Sequence, residues 1–384
     1  MTIRSARTWF VALLAGLLLA ACVPPPTPHV TQIDAGAFHT CALIPGGGVR
    51  CWGQNYFGQL GNGTSTSSST PVDVSGISTA IQIAAGIYFS CALTAGGGAR
   101  CWGHNEYGTL GNATSGTGAG SNVPVDVSGL TGAVRIVAGG FHACALMPGG
   151  TVKCWGLNWS GQLGNGASGF GSISSVPVAV SGLTGVSDLV AGENHTCAVV
   201  SGGVIKCWGE NGTGQLGNGT GTSSSVPVGV SGITGATKIT GGGAHTCALV
   251  AGGAAKCWGD GVFSELGNGT NISSPVPVDV IGVTGATNID AGSATTCVVF
   301  AGGAVRCWGR NYAGQLGNGS TVDSTVPVTV TGLSGAIRTT GGSDHTCALT
   351  KHDGVNCWGS NGDGQLGTGT NVSSTVPVAV VGLP

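Results

Sequence analysis

Seven times the chain sets two cysteines ten residues apart around a glycine turn, as in "HTCALIPGGGVRCWG" at residues 39–53. In five copies a histidine stands two residues before the first cysteine: His39, His142, His195, His245 and His345. Imidazole and thiolate are metal ligands, and paired cysteines can also be redox centres or covalent staples. Period two puts His39 and Cys41 on one face of a strand, and a hairpin symmetric about Gly46 sets Cys51 opposite Cys41. The resulting His-Cys-Cys set is one ligand short of tetrahedral zinc. Comparison between copies argues against metal: Phe89 and Thr295 take the histidine's place while both cysteines stay. Directly opposed residues of an antiparallel pair lie within reach of a disulfide. The expected bonds are Cys41–Cys51, Cys91–Cys101, Cys144–Cys154, Cys197–Cys207, Cys247–Cys257, Cys297–Cys307 and Cys347–Cys357, with no metal and no cofactor.

The remaining polar residues point away from catalysis. The histidines have no carboxylate partner recurring at fixed spacing, so they read as structural hydrogen-bonding groups at a blade corner, and no catalytic residue is assigned. A lyase or hydrolase acting in a central channel is the enzymatic alternative. Six copies place Arg or Lys before the second cysteine (Arg50, Arg100, Lys153, Lys206, Lys256, Arg306), and three carry an acid in the following strand, Asp73, Asp126 and Asp279. Cross-strand ion pairs are expected there. Charged residues make up 7% of the chain, and no basic run exists to grip nucleic acid.

The elements that position these groups follow from the repeat. Cys-Trp-Gly recurs at Cys51, Cys101, Cys154, Cys207, Cys257, Cys307 and Cys357, so the period is 50 or 53 residues. Each unit holds four short strands: the segment before A-G, then C-A-L, then V-x-C-W, then P-V-x-V. The tryptophan of each C-W-G is expected inside its own blade. Seventy-five glycines and little charge favour strands and tight turns over helices. The expected fold is all-β: a seven-bladed β-propeller of four-stranded antiparallel blades with one disulfide per blade. Ring closure could mix first and last strands; the repeats leave this open.

The pattern "HTCAV…GGVIKCWGENGTGQLGNGT" at residues 195–220 resembles the regulator of chromosome condensation repeat. The resemblance spans residues 30–384, with Gly261, Ser264 and Glu265 as the main departures. It implies blade count and closure, not one activity. The organisation is also similar to β-lactamase inhibitor protein II, a bacterial exported propeller that blocks an enzyme through rim loops.

Residues 1–21 read as a lipoprotein signal peptide: Arg4 and Arg7 precede an apolar run ending Leu19-Ala20-Ala21-Cys22. Cys22 is the lipidation candidate and accounts for the odd fifteenth cysteine. A proline-rich spacer follows to residue 29. The expected location is the bacterial envelope, periplasmic or cell-surface, with lipid on Cys22 the sole membrane contact.

Alternating strand direction sends the A-G-x-x-H and W-G-x-N-x-x-G-Q-L-G loops to one rim of the ring. Of twelve aromatics outside the signal and the C-W-G motifs, nine fall in copies one to three: Phe38, Tyr56, Phe57, Tyr88, Phe89, Tyr107, Phe141, Trp159 and Phe170. Phe38, Phe89 and Phe141 are expected to pack between blades, whereas Tyr56, Tyr107, Trp159 and Phe170 are expected to be exposed. Phe263 and Tyr312 lie on the same rim, and Glu193, Glu210, Asp260 and Glu265 suggest an acidic arc. The candidate partner-binding residues are Tyr56, Phe57, Tyr88, Tyr107, Trp159, Phe170, Glu210, Asp260, Phe263 and Tyr312. Clustered aromatics on a rigid scaffold suit a protein partner. An inhibitor of a secreted enzyme, a glycan-binding propeller and a guanine-nucleotide exchange factor are the alternatives; export disfavours the last.

Overall fold

A computed structural model describes residues 30–351 and 354–384. The signal peptide, Cys22 and the spacer lie outside the described residues. The first blade consists of β1 (Gln32–Ala35), β2 (His39–Leu43), β3 (Val49–Gly53) and β4 (Ser68–Asp73), hydrogen-bonded in that order. Six further four-stranded antiparallel sheets follow, and the seventh ends at Ser374–Ala379. The expected propeller is observed. Every sheet is built from consecutive strands, so the ring closes without exchanging a strand between its first and last blades.

Burial explains the layering. The inner strands line a central channel. The two middle strands are covered on both faces, as the all-buried "HTCAL" shows. The fourth strand is half exposed along its length. Within each hairpin the cysteines are directly opposed, Cys41 on Cys51 and likewise in the other six blades. All seven pairs stand at bonding distance, with Cα atoms 4.0 to 4.1 Å apart.

The tryptophans correct one expectation. Each sits at the seam with the preceding blade, not within its own. Trp102 packs among Leu60, Val74, Cys41 and Cys51 of blade one, and its indole N–H donates to the Gln59 carbonyl at 2.8 Å. Gly61 makes this possible: a Cβ there would stand 2.7 Å from the indole ring, and φ is +66°. The same bond recurs from Trp155 to Thr109 and from Trp308 to Glu265. At closure Trp52 donates to Gln365 at 2.9 Å, and backbone bonds from Ser343 to Ala37 at 3.1 Å and from Gly369 to Ser69 at 2.8 Å join the last blade to the first beside it.

Candidate binding rim

The five repeated histidines belong to the same seam. Nε2 of His39 lies 2.7 Å from the Ser90 hydroxyl of the next blade, which donates in turn to the Gln59 carbonyl at 3.0 Å. His142–Thr196, His195–Thr246, His245–Thr296 and, across closure, His345–Thr40 repeat the contact at 2.8 to 2.9 Å. Because each hydroxyl proton goes to a carbonyl, each Nε2 must carry the proton it donates to the hydroxyl. All five rings are buried. Desolvation pushes His39, His142 and His195 down to about 3, and His245 and His345 to about 4. They are neutral clamps between blades rather than groups poised for proton transfer at neutral pH.

Where Phe89 replaces the histidine its partner changes too, whereas Thr295 of blade six leaves the partner Thr346 in place, still donating to the Gln315 carbonyl at 2.9 Å. Phe89 of blade two is fully buried and shares an apolar cluster with Ala143, which stands where other blades carry Thr or Ser. The copies thus contain both a polar and an apolar solution of one seam.

The expected cross-strand ion pairs are present: Arg50–Asp73 and Arg100–Asp126 at 2.7 Å and Lys256–Asp279 at 2.6 Å. Arg50 also donates to the Gly382 carbonyl at 2.7 Å, reaching the last blade.

The rim loops are shaped by one buried asparagine in six of the seven blades. Asn55 accepts the Leu60 N–H at 2.9 Å and donates to the carbonyls of Thr64 and Thr66 at 3.1 Å. A frame of this kind fixes the loop while leaving its outward side chains free to vary. Blade five has Gly261 at this position, and there the Ser264 hydroxyl ties to Asn271 at 2.9 Å. Ser264 holds a positive φ of +72°, at a position that is glycine in every other copy.

On that frame the rings of blades one to three form a continuous chain. Phe38 stacks on Tyr88 at 5.7 Å, and Tyr88 meets Phe57 at 4.9 Å. Phe141 joins Tyr107 at 5.3 Å, Tyr107 joins Trp159 at 5.5 Å, and Trp159 joins Phe170 at 4.9 Å. The hub between the two halves is His104, in ring contact with Phe57, Tyr88, Tyr107 and Phe141. Burial lowers its pKa, with Glu106 at 3.5 Å opposing the shift. Sequence reasoning missed His104. Its signal was the x of W-G-x-N, which differs in every copy: Gln54, His104, Leu157, Glu210, Asp260, Arg310 and Ser360.

Exposure is uneven along the chain of rings. Phe170 is 92% exposed and Trp159 37%, and Phe57 is also open to solvent. Tyr107 is half-buried, against expectation, because Phe141 and Trp159 wedge its ring edge-on. Phe38 and Phe141 are likewise half-buried rather than enclosed. Tyr56 is exposed but stands apart, its hydroxyl directed at Asp363 of the last blade.

The acidic arc is smaller than expected. Glu265 is buried, accepting the Phe263 N–H at 2.8 Å in the contact Gln59 makes to Phe57, and desolvation pushes its carboxyl up to about 7. Glu193 turns to the channel mouth and accepts from Ser293 at 2.6 Å. Glu210 and Asp260 remain half-buried on the rim. Beside them Arg310 lies between the rings of Phe263 and Tyr312, 4.6 and 4.4 Å from their centroids.

Residues 18–286 match the RCC1-like domain, and residues 302–349 and 353–384 match the regulator of chromosome condensation (RCC1) repeat. The chain belongs to the RCC1-like family. Among relatives of this family, the ultraviolet-B receptor UVR8 of Arabidopsis thaliana is 30% identical over 51% of this chain and 44% of its own length. E3 ubiquitin-protein ligase HERC2 of Homo sapiens is 29% identical over 50% of this chain but only 4% of that protein. The chain therefore spans less than half the length of these curated relatives. Human WBSCR16 superposes with a TM-score of 0.75 at 25% identity, covering 85% of this chain and 88% of that one. Yeast RCC1 (Prp20), solved bound to Kap60, superposes at 0.71 with 23% identity, covering 82% and 78%. The RCC1-like propeller is a protein-interaction fold.

Proposed function

We propose that this RCC1-like propeller is a non-enzymatic binding module whose aromatic rim, blades one to three, docks a protein partner. The observation that carries the reading is the linked row of rings from Phe57 to Phe170, with Trp159 and Phe170 facing solvent. Clusters of tryptophan, tyrosine and phenylalanine anchor protein interfaces because they bury large area at small entropic cost. The row also lies where the two three-residue loop extensions occur, in copies two and three. A glycan-binding propeller would be expected to repeat its sugar pocket in each blade; here the rings crowd into three.

The location proposed is outside the reducing cytosol, in the cell envelope, with a lipid on Cys22 as anchor. Seven cysteine pairs at bonding distance support an oxidising compartment. Inhibition of a secreted enzyme through the same rim is the specific form that the organisation allows. The test is capture from envelope and secreted proteins with the ring, residues 30–384, against a Trp159→Ala, Phe170→Ala variant. The reading requires a partner retained by the parent and released by the variant at unchanged melting temperature. A variant that keeps every captured protein would refute it.

A further inference from the structure

The inner strands carry two tiers of side chains that neither the rim nor the seams use. On a strand, residues two apart share a face, so Gln32 and Asp34 both line the channel, as do Lys238 and Thr240, Asn288 and Asp290, and Arg338 and Thr340. The channel encloses about 570 Å³, ample for a small ligand.

In the lower tier five of seven residues are already committed to a neighbour. Gln32 makes a double contact with the Ile83 backbone at 2.8 and 3.0 Å, and Gln82 the same with Ile136 at 2.9 Å. Arg135 and Asp188 form an ion pair. Asn288 accepts its neighbour's N–H through Oδ1. Among the described residues, the side chains of Lys238 and Arg338 make no hydrogen bond and no ion pair. They are near enough for Arg338 to help lower the Lys238 pKa, after desolvation. Asp188 partly offsets the charge of Lys238, and Arg338 feels Asp34 and Asp290 across the tiers; two cations without a direct ion pair sharing a channel are a site for an anion.

The upper tier is the complement. Asp290 and Asp34 flank Thr340, with the Gly341 N–H on Asp290 at 2.8 Å and the Thr340 hydroxyl on Asp34 at 3.3 Å. Desolvation, with mutual repulsion at Asp290, pushes the two carboxyls up to about 7 and about 8. The opposite wall is apolar at this level, through Val137 and Val190. Two residues of strand separate the tiers by about 6.7 Å, close to the roughly 7 Å reach of two extended residues.

We propose that the channel binds a zwitterion of dipeptide length, its carboxylate held by Arg338 and Lys238 and its ammonium between Asp34 and Asp290. Val137 and Val190 receive its side chains. The proposal is independent of the rim reading, since none of these residues reaches the rings of blades one to three.

The test is calorimetric titration of the full-length protein with L-alanyl-L-alanine, its N-acetyl form and its C-terminal amide. The free dipeptide binds one per chain, and each capped form loses at least about tenfold, or 1.4 kcal/mol. Binding at pH 7 releases protons, because an ammonium demands ionised carboxylates, and the release is read from heats in buffers of different ionisation enthalpy. Asp34→Asn with Asp290→Asn abolishes the proton release and the penalty for N-acetylation. Arg338→Gln instead abolishes the penalty for amidation, which keeps the two tiers separable should one variant fold poorly. Capped and free dipeptides binding alike, or no saturable binding by the parent up to about 10 mM (about −2.7 kcal/mol), would overturn the proposal.

Discussion

The seam chemistry makes a prediction that can be worked from one blade. His195 is buried, bonded through Nε2 to Thr246 at 2.8 Å, and its pKa lies near 3. The unfolded chain restores it to about 6.5. A depressed histidine pKa gives stability that is fully present above about 6.5 and lost as pH falls toward the folded value. The unfolded state then takes up a proton that the folded state refuses. Between pH 7 and pH 5 one such group costs about 2 kcal/mol. Replacing His195→Phe together with Thr246→Ala copies the Phe89–Ala143 solution of the second seam. The single change Thr246→Ala strands the His195 N–H and removes a donor from the Gln215 carbonyl, at 2.9 Å in the parent, and should cost about 1–3 kcal/mol. His195→Phe alone presses an aromatic ring on a hydroxyl and should cost a similar amount. The double variant should be less destabilised at pH 7 than the sum of the two, and should gain about 2 kcal/mol on its parent when the pH is lowered to 5. Asp34, Asp290 and Glu265 titrate in the opposite sense, but they do so in parent and variant alike and cancel in the difference. Chemical denaturation followed by fluorescence of the seam tryptophans, with disulfides intact, measures both quantities. Identical pH dependence in parent and double variant would refute the assignment of His195 as a neutral clamp.

Two further perturbations follow. Glu265→Gln restores the residue found at this position in five other copies. With the folded carboxyl near 7 against an ordinary value of 4.5, the parent gives up stability as pH rises above about 4.5, so the variant should gain up to about 3 kcal/mol by pH 8 and nothing at pH 4; an equal effect at both pH values would contradict the burial cause. Unfolding the mature protein without reductant should expose none of the fourteen repeat cysteines to a thiol reagent. Removing one pair, Cys197→Ser with Cys207→Ser, should cost roughly 2–3 kcal/mol for a loop of this length, and a count near fourteen free thiols would exclude the bonds.

What could be read in advance was what a single repeat determines within itself. Cys41 opposes Cys51 because one hairpin turn sets both positions, and Arg50 meets Asp73 because adjacent strands set their register. Contacts between copies were harder to see. Trp102 looks like a core residue of its own strand until Gly61 of the preceding blade is placed against it. The charged residues of the channel were not singled out for a different reason. They recur in no fixed pattern from copy to copy, although Asp34 and Asp290 both occupy the x of I-x-A-G and Lys238 and Arg338 both stand two residues before it, on the same strand face. Alternation within the first strand held that information.

The distribution of change among the copies has one physical cause. A seam residue must satisfy two blades at once: the Gln59 carbonyl takes protons from both Trp102 and Ser90, so neither donor can change without leaving an acceptor short. At Phe89 and Ala143 both sides change together, whereas Thr295 changes only the histidine side and leaves Thr346 on the Gln315 carbonyl. The outward side chains of the rim loops, and Lys238 and Arg338 in the channel, bear no such double constraint. His104 and Arg310 occupy the same position of their repeats, yet one gathers a cluster of aromatic rings and the other lies between two. Ring closure without strand exchange, through Trp52, Thr40 and Arg50 against the last blade and backbone bonds from Ser343 to Ala37 and Gly369 to Ser69, repeats the same kind of seam where the last blade meets the first. A ligand is therefore accommodated at least cost through the outward rim side chains and the uncommitted channel cations, positions at which this chain departs from its own repeat.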